Sequence, residues 1–153
     1  MNKIRKFFTG YEHALNTFDA DLLSAQFVES FMGADPGGVS CHRNDASLRE
    51  AIARRRDTYE QMGFRFAEIL SVAETPVDEH YTMAKVHWRL VFEKIKGQPR
   101  EFKFFVTYFL FDAPEGLRIV FYIAREDEQK VLRDAGLLPA QPEPVNLRHV
   151  ILH

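Results

Sequence analysis

Three side chains of this sequence have a type and a position that could carry chemistry. Asp35 lies in the run Asp-Pro-Gly-Gly, His42 follows it in a short extended segment, and Arg125 comes where the last predicted strand ends. An imidazole at a cavity mouth could move protons, and a guanidinium there could bind a carboxylate. Asp35 and Arg125 also have purely structural alternatives, because Asp-Pro-Gly-Gly is typical of a turn and Arg125 suits an ordinary salt bridge.

The sequence lacks the motifs of several large enzyme classes. No glycine-rich phosphate loop, serine nucleophile elbow or Cys–His pairing occurs. His149 and His153 have i,i+4 spacing, but no third ligand lies within sequence reach of them. We therefore expect neither a metal ion nor an organic cofactor.

The composition is that of one globular domain. A chain of 153 residues buries roughly 70% of its unfolded surface. The net charge of −2, without a basic stripe, argues against nucleic acid, and no 18-residue apolar run predicts a membrane span. The single cysteine, Cys41, cannot form an internal disulfide, so we expect a cytoplasmic protein.

Hydrophobic periodicity predicts helices first and strands afterwards. Apolar residues three and four positions apart predict helices over residues 3–18, about 22–31 and about 45–62. A period of two predicts strands over residues 64–74, 80–95, 102–111 and 117–124. A short helix from Asp127 completes a domain of residues 1–139, and residues 140–153 form a Pro-containing tail.

Three N-terminal helices, a curved antiparallel sheet of four or more strands and a short C-terminal helix define an α+β fold. Predicted strands of 11 to 16 residues are long, so the sheet should curl strongly. A curled sheet that helices close makes a cone, and its interior is a natural ligand cavity. Asp19 or Asp21, Asn44 or Asp45, and Gly63 are the expected helix caps.

The strand over residues 102–111 is apolar on both faces. One face carries Phe102, Phe104, Val106 and Tyr108, and the other carries Phe105, Thr107, Phe109 and Phe111. A half-buried strand needs only one apolar face, so both of these should be covered. We expect the first set to form the contact of a homodimer through the outer sheet face, because a monomer would expose a large apolar patch.

Aromatic side chains predict the wall of an apolar cavity. The expected ligand-binding residues are Trp88, Phe92, Phe105, Phe109 and Phe121, with His42 and Arg125 near the mouth. Trp88 alternates with Val86 and Leu90, which places it on the concave face of its strand. A filled core gives the same pattern as a cavity wall, so the sequence leaves the two open.

The order of elements resembles the nuclear-transport-factor-two-like superfamily, also called the cystatin-like cone. The clearest stretch is Gly-Leu-Arg-Ile-Val at 116–120, followed by Arg-Glu-Asp at 125–127 and Gly-Leu-Leu-Pro at 136–139. The resemblance covers residues 3–138. The superfamily includes ketosteroid isomerase, scytalone dehydratase, small polyketide cyclases and binding domains without activity, so the resemblance implies the fold more strongly than a reaction.

A local match to ketosteroid isomerase implies roles for three residues. The run from Tyr11 to Asp19, Tyr-Glu-His-Ala-Leu-Asn-Thr-Phe-Asp, matches the first helix of that enzyme. Continued without a gap, the match places the general base of the isomerase on Asp35 and makes Tyr11 a hydrogen-bond donor. Thr107 stands where the isomerase has a protonated aspartate, and a hydroxyl is a weaker donor.

We expect from these observations a protein that binds a small apolar or cyclic molecule without catalysis. The first alternative is a cofactor-independent isomerase, dehydratase or cyclase that transfers a proton on a small carbonyl compound. The second alternative is a protein-interaction or accessory domain. The first alternative needs Tyr11 and Asp35 to converge on one cavity.

Overall fold

The structure is a computed structural model that describes residues 2–139. The elements of this range are α1 (Lys3–Thr17), α2 (Ala20–Ser24), β1 (Phe27–Asp35), β2 (Gly38–Arg43), α3 (Ala46–Gln61), β3 (Phe64–Pro76), β4 (Tyr81–Phe92), β5 (Arg100–Ala113), β6 (Gly116–Ala124) and α4 (Glu128–Asp134). The predicted tail at 140–153, including His149 and His153, lies outside the described residues.

The helices α3 and α4 begin, and α3 ends, where the sequence signals indicate. The Asp45 side chain accepts a hydrogen bond from the Ser47 N–H and caps α3, and Asp127 caps α4 through the Lys130 N–H. After α3, Gly63 has a φ of 77°. A Cβ added at Gly63 would lie 2.4 Å from the carbonyl oxygen of Glu93, so this position requires glycine.

Six strands form one sheet in the order β2-β1-β6-β5-β4-β3. The strands β3 to β6 make the predicted antiparallel meander, and β1 adds to its end in parallel with β6. Register shifts interrupt several of these pairings, which is how long strands acquire strong curvature. The curved α+β fold that the sequence predicts is confirmed.

The predicted second helix is wrong beyond its first turn. Asp19 caps α2, but α2 ends at Ser24, and Phe27 and Phe31 belong to β1. The two phenylalanines are four residues apart, and a spacing of four places side chains on one face in a strand as well as in a helix. Their buried rings are 4.4 Å apart on the inner face of the sheet, the face that the helices cover.

The inner face of the sheet carries the aromatic core. Trp88 pairs across the sheet with Phe104, and Ala84 pairs with Tyr108. All four side chains are buried, and Tyr11 of α1 packs its ring 6.1 Å from Trp88 and 5.7 Å from Tyr108. The outer face is the opposite one, where Phe105, Thr107, Phe109 and Phe111 are only half-buried.

This arrangement corrects the expected faces of β5. Phe104, Val106 and Tyr108 lie in the core, with Phe102 packed beside them, and cannot form an outer contact surface. Because both faces of β5 are apolar, its own sequence does not determine which face meets the helices. The register with β4 does, since directly opposite residues point to the same side and Trp88 points inward.

Candidate functional site

Tyr11 lies at the centre of the aromatic core. It is fully buried, and its hydroxyl lies near that of Tyr108 without the geometry of a hydrogen bond. The indole N–H of Trp88 donates to the Tyr108 hydroxyl at 3.1 Å. Burial, and then the neighbouring Tyr122, raises the pKa of Tyr11 well above its usual value, so this hydroxyl is neutral near pH 7.

Asp35 is the last residue of β1 and begins the tight turn into β2. Its Oδ1 accepts a hydrogen bond from the Gly37 N–H at 2.8 Å, which is the turn predicted from Asp-Pro-Gly-Gly. By strand alternation its side chain shares the inner face with Gly33. A Cβ at Gly33 would lie 2.5 Å from the Tyr122 hydroxyl, so glycine is required for this close approach.

Tyr11 and Asp35 lie towards opposite ends of β1. The Tyr11 ring packs 6.2 Å from Phe27, the first residue of the strand. Phe31 and Gly33 occupy the inner face between Phe27 and Asp35. The structure therefore places the two residues of the isomerase-like match in different surroundings, one in the closed core and one at a hairpin tip.

His42 lies on β2, the strand that pairs with the strand of Asp35. It pairs with Phe31 across the β1–β2 hairpin and stacks on that ring at 5.2 Å. Its Nε2 lies 3.0 Å from Oγ of Ser40, which pairs with Gly33. A carboxylate, an imidazole and a hydroxyl thus share the inner side of one hairpin.

Thr107 lies on the outer face, away from Tyr11. It pairs with Lys85 of β4 and Ile123 of β6, whereas its neighbour Tyr108 points inward. A shift of one residue along a strand moves a side chain to the other face. The expected auxiliary donor is therefore corrected, since the hydroxyl that β5 brings near Tyr11 is that of Tyr108.

The expected cavity wall divides between the two faces. Trp88 and Phe92 are fully buried in the core, but Phe105, Phe109 and Phe121 lie on the outer face. Phe109 stacks on Phe121 at 5.4 Å. Arg125 lies 5.5 Å over the Phe105 ring, on the outside of the sheet rather than at a cavity mouth.

The protein contains a buried charged cluster that its sequence did not lead us to predict. Arg55 of α3 donates to Oε1 of Glu128 at 2.8 Å and to the Tyr59 hydroxyl, which itself donates to Glu128. The run of three arginines at 54–56 is by itself typical of a solvated helix face. The available signal was the spacing, because Arg55 lies three residues after Ile52 and four before Tyr59, on the buried stripe of α3.

The charge of this cluster is compensated inside the protein. Burial works against ionised Arg55, but Tyr59 and Glu128 outweigh burial and hold its pKa above the usual value. Burial raises the pKa of Tyr59 well above its usual value, so its hydroxyl stays neutral. The cluster joins α3 to α4.

A cavity of about 390 Å³, here called the mouth cavity, opens between α3, α4 and the start of the β4–β5 loop. It is lined by Thr58, Gln61, Met62, Lys94, Gln129, Arg133, Gly136, Leu137, Leu138 and Pro139. Deeper in the protein, two spaces of about 10 Å³ flank Arg55 and Tyr59, each room for about one water molecule. The volume of the mouth cavity is within the range of small-molecule sites, whereas the core beneath it is packed.

Two further types of site are missing from residues 2–139. No helix in this range is long and apolar enough to cross a membrane. The same range contains no group of three or more His, Cys, Asp or Glu side chains placed to hold a metal ion.

The family follows from a match to residues 2–127. These residues match the model of the NTF2-like protein family DUF6841, so the chain belongs to this family of NTF2-like proteins. The resemblance seen in the sequence is thereby confirmed at the level of the superfamily. No curated protein matches the chain.

Solved structures show the same fold at low identity. An NTF2-like protein with a cystatin-like fold from Novosphingobium aromaticivorans is 19% identical, covers 90% of this chain and 87% of its own, and has a TM-score of 0.68. Aln2 from a Streptomyces species is 14% identical over 86% of this chain and 93% of its own, with a TM-score of 0.68. A domain of unknown function from Nostoc punctiforme is 20% identical over 90% and 85%, with a TM-score of 0.61.

Proposed function

We propose that this protein binds a small, largely apolar molecule without catalysis, and that the ligand occupies the mouth cavity. The observation that carries this proposal is the 390 Å³ volume, which accommodates a small organic molecule. Met62 and Leu137 are almost fully buried and form its apolar part. Thr58, Gln61 and Gln129 supply a few polar groups, the combination typical of a ligand site.

The packing of the core supports the mouth rather than the interior as the place of binding. Trp88, Tyr108 and Tyr11 fill the inner face with rings in mutual contact. A ligand there would have to displace side chains from a close-packed core, which is costly. At the mouth, a ligand requires no such rearrangement.

The test is a calorimetric titration with 1-octanol, a neutral apolar probe. Wild-type protein should bind it in one site and release it unchanged. Gln129→Trp fills the cavity and should weaken binding by at least tenfold, a loss of about 1.4 kcal/mol. The matched control is Lys130→Trp, one residue along α4 and exposed, which should bind normally. Equal affinity of the two variants would contradict the proposal.

A second candidate function is proton transfer on a cyclic carbonyl compound at the β1–β2 hairpin. The observation that favours it is the shared inner side of Asp35, Ser40 and His42, with Ser40 and His42 in hydrogen-bond contact. Asp35 would accept a proton from the carbon next to the carbonyl group, and His42 would donate a hydrogen bond to the carbonyl oxygen.

Deuterium exchange into cyclohexanone, followed by NMR, tests this candidate. Asp35→Asn and His42→Gln should each slow the exchange at least tenfold. Asp78→Asn is the matched control, because Asp78 also accepts an N–H two residues ahead at 2.8 Å in an exposed turn. Exchange no faster than in buffer, or equal in all variants, excludes the candidate.

We also propose that the protein forms a homodimer through the outer sheet face. Met32, Tyr81 and Ile123 are 39%, 41% and 39% exposed, next to the stacked rings of Phe109 and Phe121. A patch of this kind on a monomer usually marks an interaction surface.

We place the protein in the cytoplasm, where the exposed Cys41 stays reduced.

A further inference from the structure

The charged side chains among the described lining residues of the mouth cavity are both cations. Lys94 and Arg133 are among its lining residues, and none of the lining residues within 2–139 is an aspartate or a glutamate. Over residues 2–139, neither cation has a carboxylate within 4.0 Å, although Lys130 on the same helix as Arg133 pairs with Asp134 at 2.8 Å. Glu128, which lines a small space beside this cavity, is paired with Arg55 at 2.8 Å.

Both cations are held by neutral acceptors at the cavity rim. Nε of Arg133 donates to the Pro139 carbonyl at 3.1 Å, and Nζ of Lys94 lies 3.5 Å from the Leu137 carbonyl. A guanidinium has five N–H donors and an ammonium three, so these contacts use a minority of the donors. The same backbone segment that holds the cations also provides Leu137 and Leu138 to the cavity.

We propose that the ligand of the mouth cavity is an amphipathic anion. Its carboxylate or sulfonate binds Lys94 and Arg133, and its apolar body lies on Met62, Leu137 and Leu138. This inference rests on the proposed binding function and names its ligand class. A neutral ligand would leave two cations without a charged partner, whereas an anion gains charge-assisted hydrogen bonds from both.

The experiment compares octanoate with 1-octanol, which have the same chain length and differ in the head group. The wild-type protein should bind octanoate roughly tenfold more tightly than 1-octanol, the contribution of about one charge-assisted hydrogen bond. Lys94→Gln and Arg133→Gln should each weaken octanoate binding roughly three- to tenfold and leave 1-octanol binding unchanged. Raising the salt concentration should weaken octanoate binding alone.

Two controls separate charge from folding. Lys130→Gln removes a cation from the outside of α4 and should bind octanoate as the wild type does. Arg133→Lys keeps the charge and should retain most of the affinity that Arg133→Gln loses. Thermal unfolding of each variant shows whether the fold is intact.

The outcomes distinguish the two proposals. Equal binding of octanoate and 1-octanol by the wild type overturns the anionic ligand class and leaves the binding function standing. Failure of both compounds to bind overturns the binding function for this class of ligand, and the present inference with it. If Lys94→Gln and Arg133→Gln both still bind octanoate more tightly than 1-octanol, the assignment of Lys94 and Arg133 as the anion-binding residues is overturned.

Discussion

Arg55 and Glu128 form an ion pair inside the protein, with Nη2 2.8 Å from Oε1 and side chains only 6% and 2% exposed. The pair connects α3 to α4, and the hydroxyl of Tyr59 donates to the same carboxylate. Two charges removed from water stabilise a fold only while each has its partner. The packing of α3 against α4 beside the mouth cavity therefore depends on this contact.

We predict that Glu128→Gln lowers the free energy of unfolding by about 3–5 kcal/mol, because Arg55 then lies buried without a counter-charge. Urea denaturation measures the change. Asp134→Asn, which breaks the exposed pair with Lys130, should have little effect. The double variant Arg55→Met, Glu128→Met should recover much of the loss. A Glu128→Gln protein as stable as the Asp134→Asn protein would refute this account of the pair.

Alkaline pH should destabilise the fold through its buried tyrosines. Burial raises the pKa of Tyr11, Tyr59 and Tyr108 well above the ordinary value of 10.0. Above pH 10 the unfolded chain releases these protons and the folded chain retains them, so the free energy of unfolding falls as the pH rises. Urea denaturation at a series of pH values, with tyrosine absorbance, measures both quantities.

Tyr11→Phe is the informative variant for this pH dependence. Its hydroxyl lacks a hydrogen bond of normal geometry, so the substitution should cost little near pH 7. The variant has one fewer buried phenol, and its loss of stability above pH 10 should be shallower than that of the wild type. Ionisation of all five tyrosines near pH 10 in the folded protein would contradict the raised pKa of the buried tyrosines.

The proposed homodimer predicts a sharp response to charge on the outer sheet face. Ile123→Lys should halve the mass measured by light scattering, since it places a cation within the apolar patch. Ile95→Lys is the matched control, because Ile95 is 61% exposed in the loop between β4 and β5. A wild-type protein that is already monomeric at micromolar concentration contradicts the dimer.

Local signals were sufficient to predict most of the elements. The strands β3 to β6 follow from the period of two, and Asp45, Asp127 and Gly63 bound the helices as expected. These features depend on residues that are close in sequence. The pattern of Phe27 and Phe31 suits a helix and a strand equally, so β1 could not be predicted from local spacing.

The site was less predictable because it depends on long-range packing. The inner face of β5 is set by the pairing of Trp88 with Phe104. Thr107 and Tyr108 are neighbours in sequence, but Tyr108 lies in the core and Thr107 lies on the outer face. Arg55 has the spacing of a core residue, but a charged side chain is expected at the surface unless its buried partner is known. Here that partner is Glu128, which is distant in sequence. The mouth cavity combines α3, α4 and the β4–β5 loop, which no single stretch of sequence displays.

Methionine methyl NMR tests the binding proposal most directly. The described residues contain three methionines: Met62 lines the mouth cavity, whereas Met32 and Met83 lie on the outer sheet face. Octanoate should shift the Met62 methyl signal in a saturable manner and leave those of Met32 and Met83 in place. Shifts confined to Met32 and Met83, or no saturable shift of Met62, would contradict a ligand site in the mouth cavity.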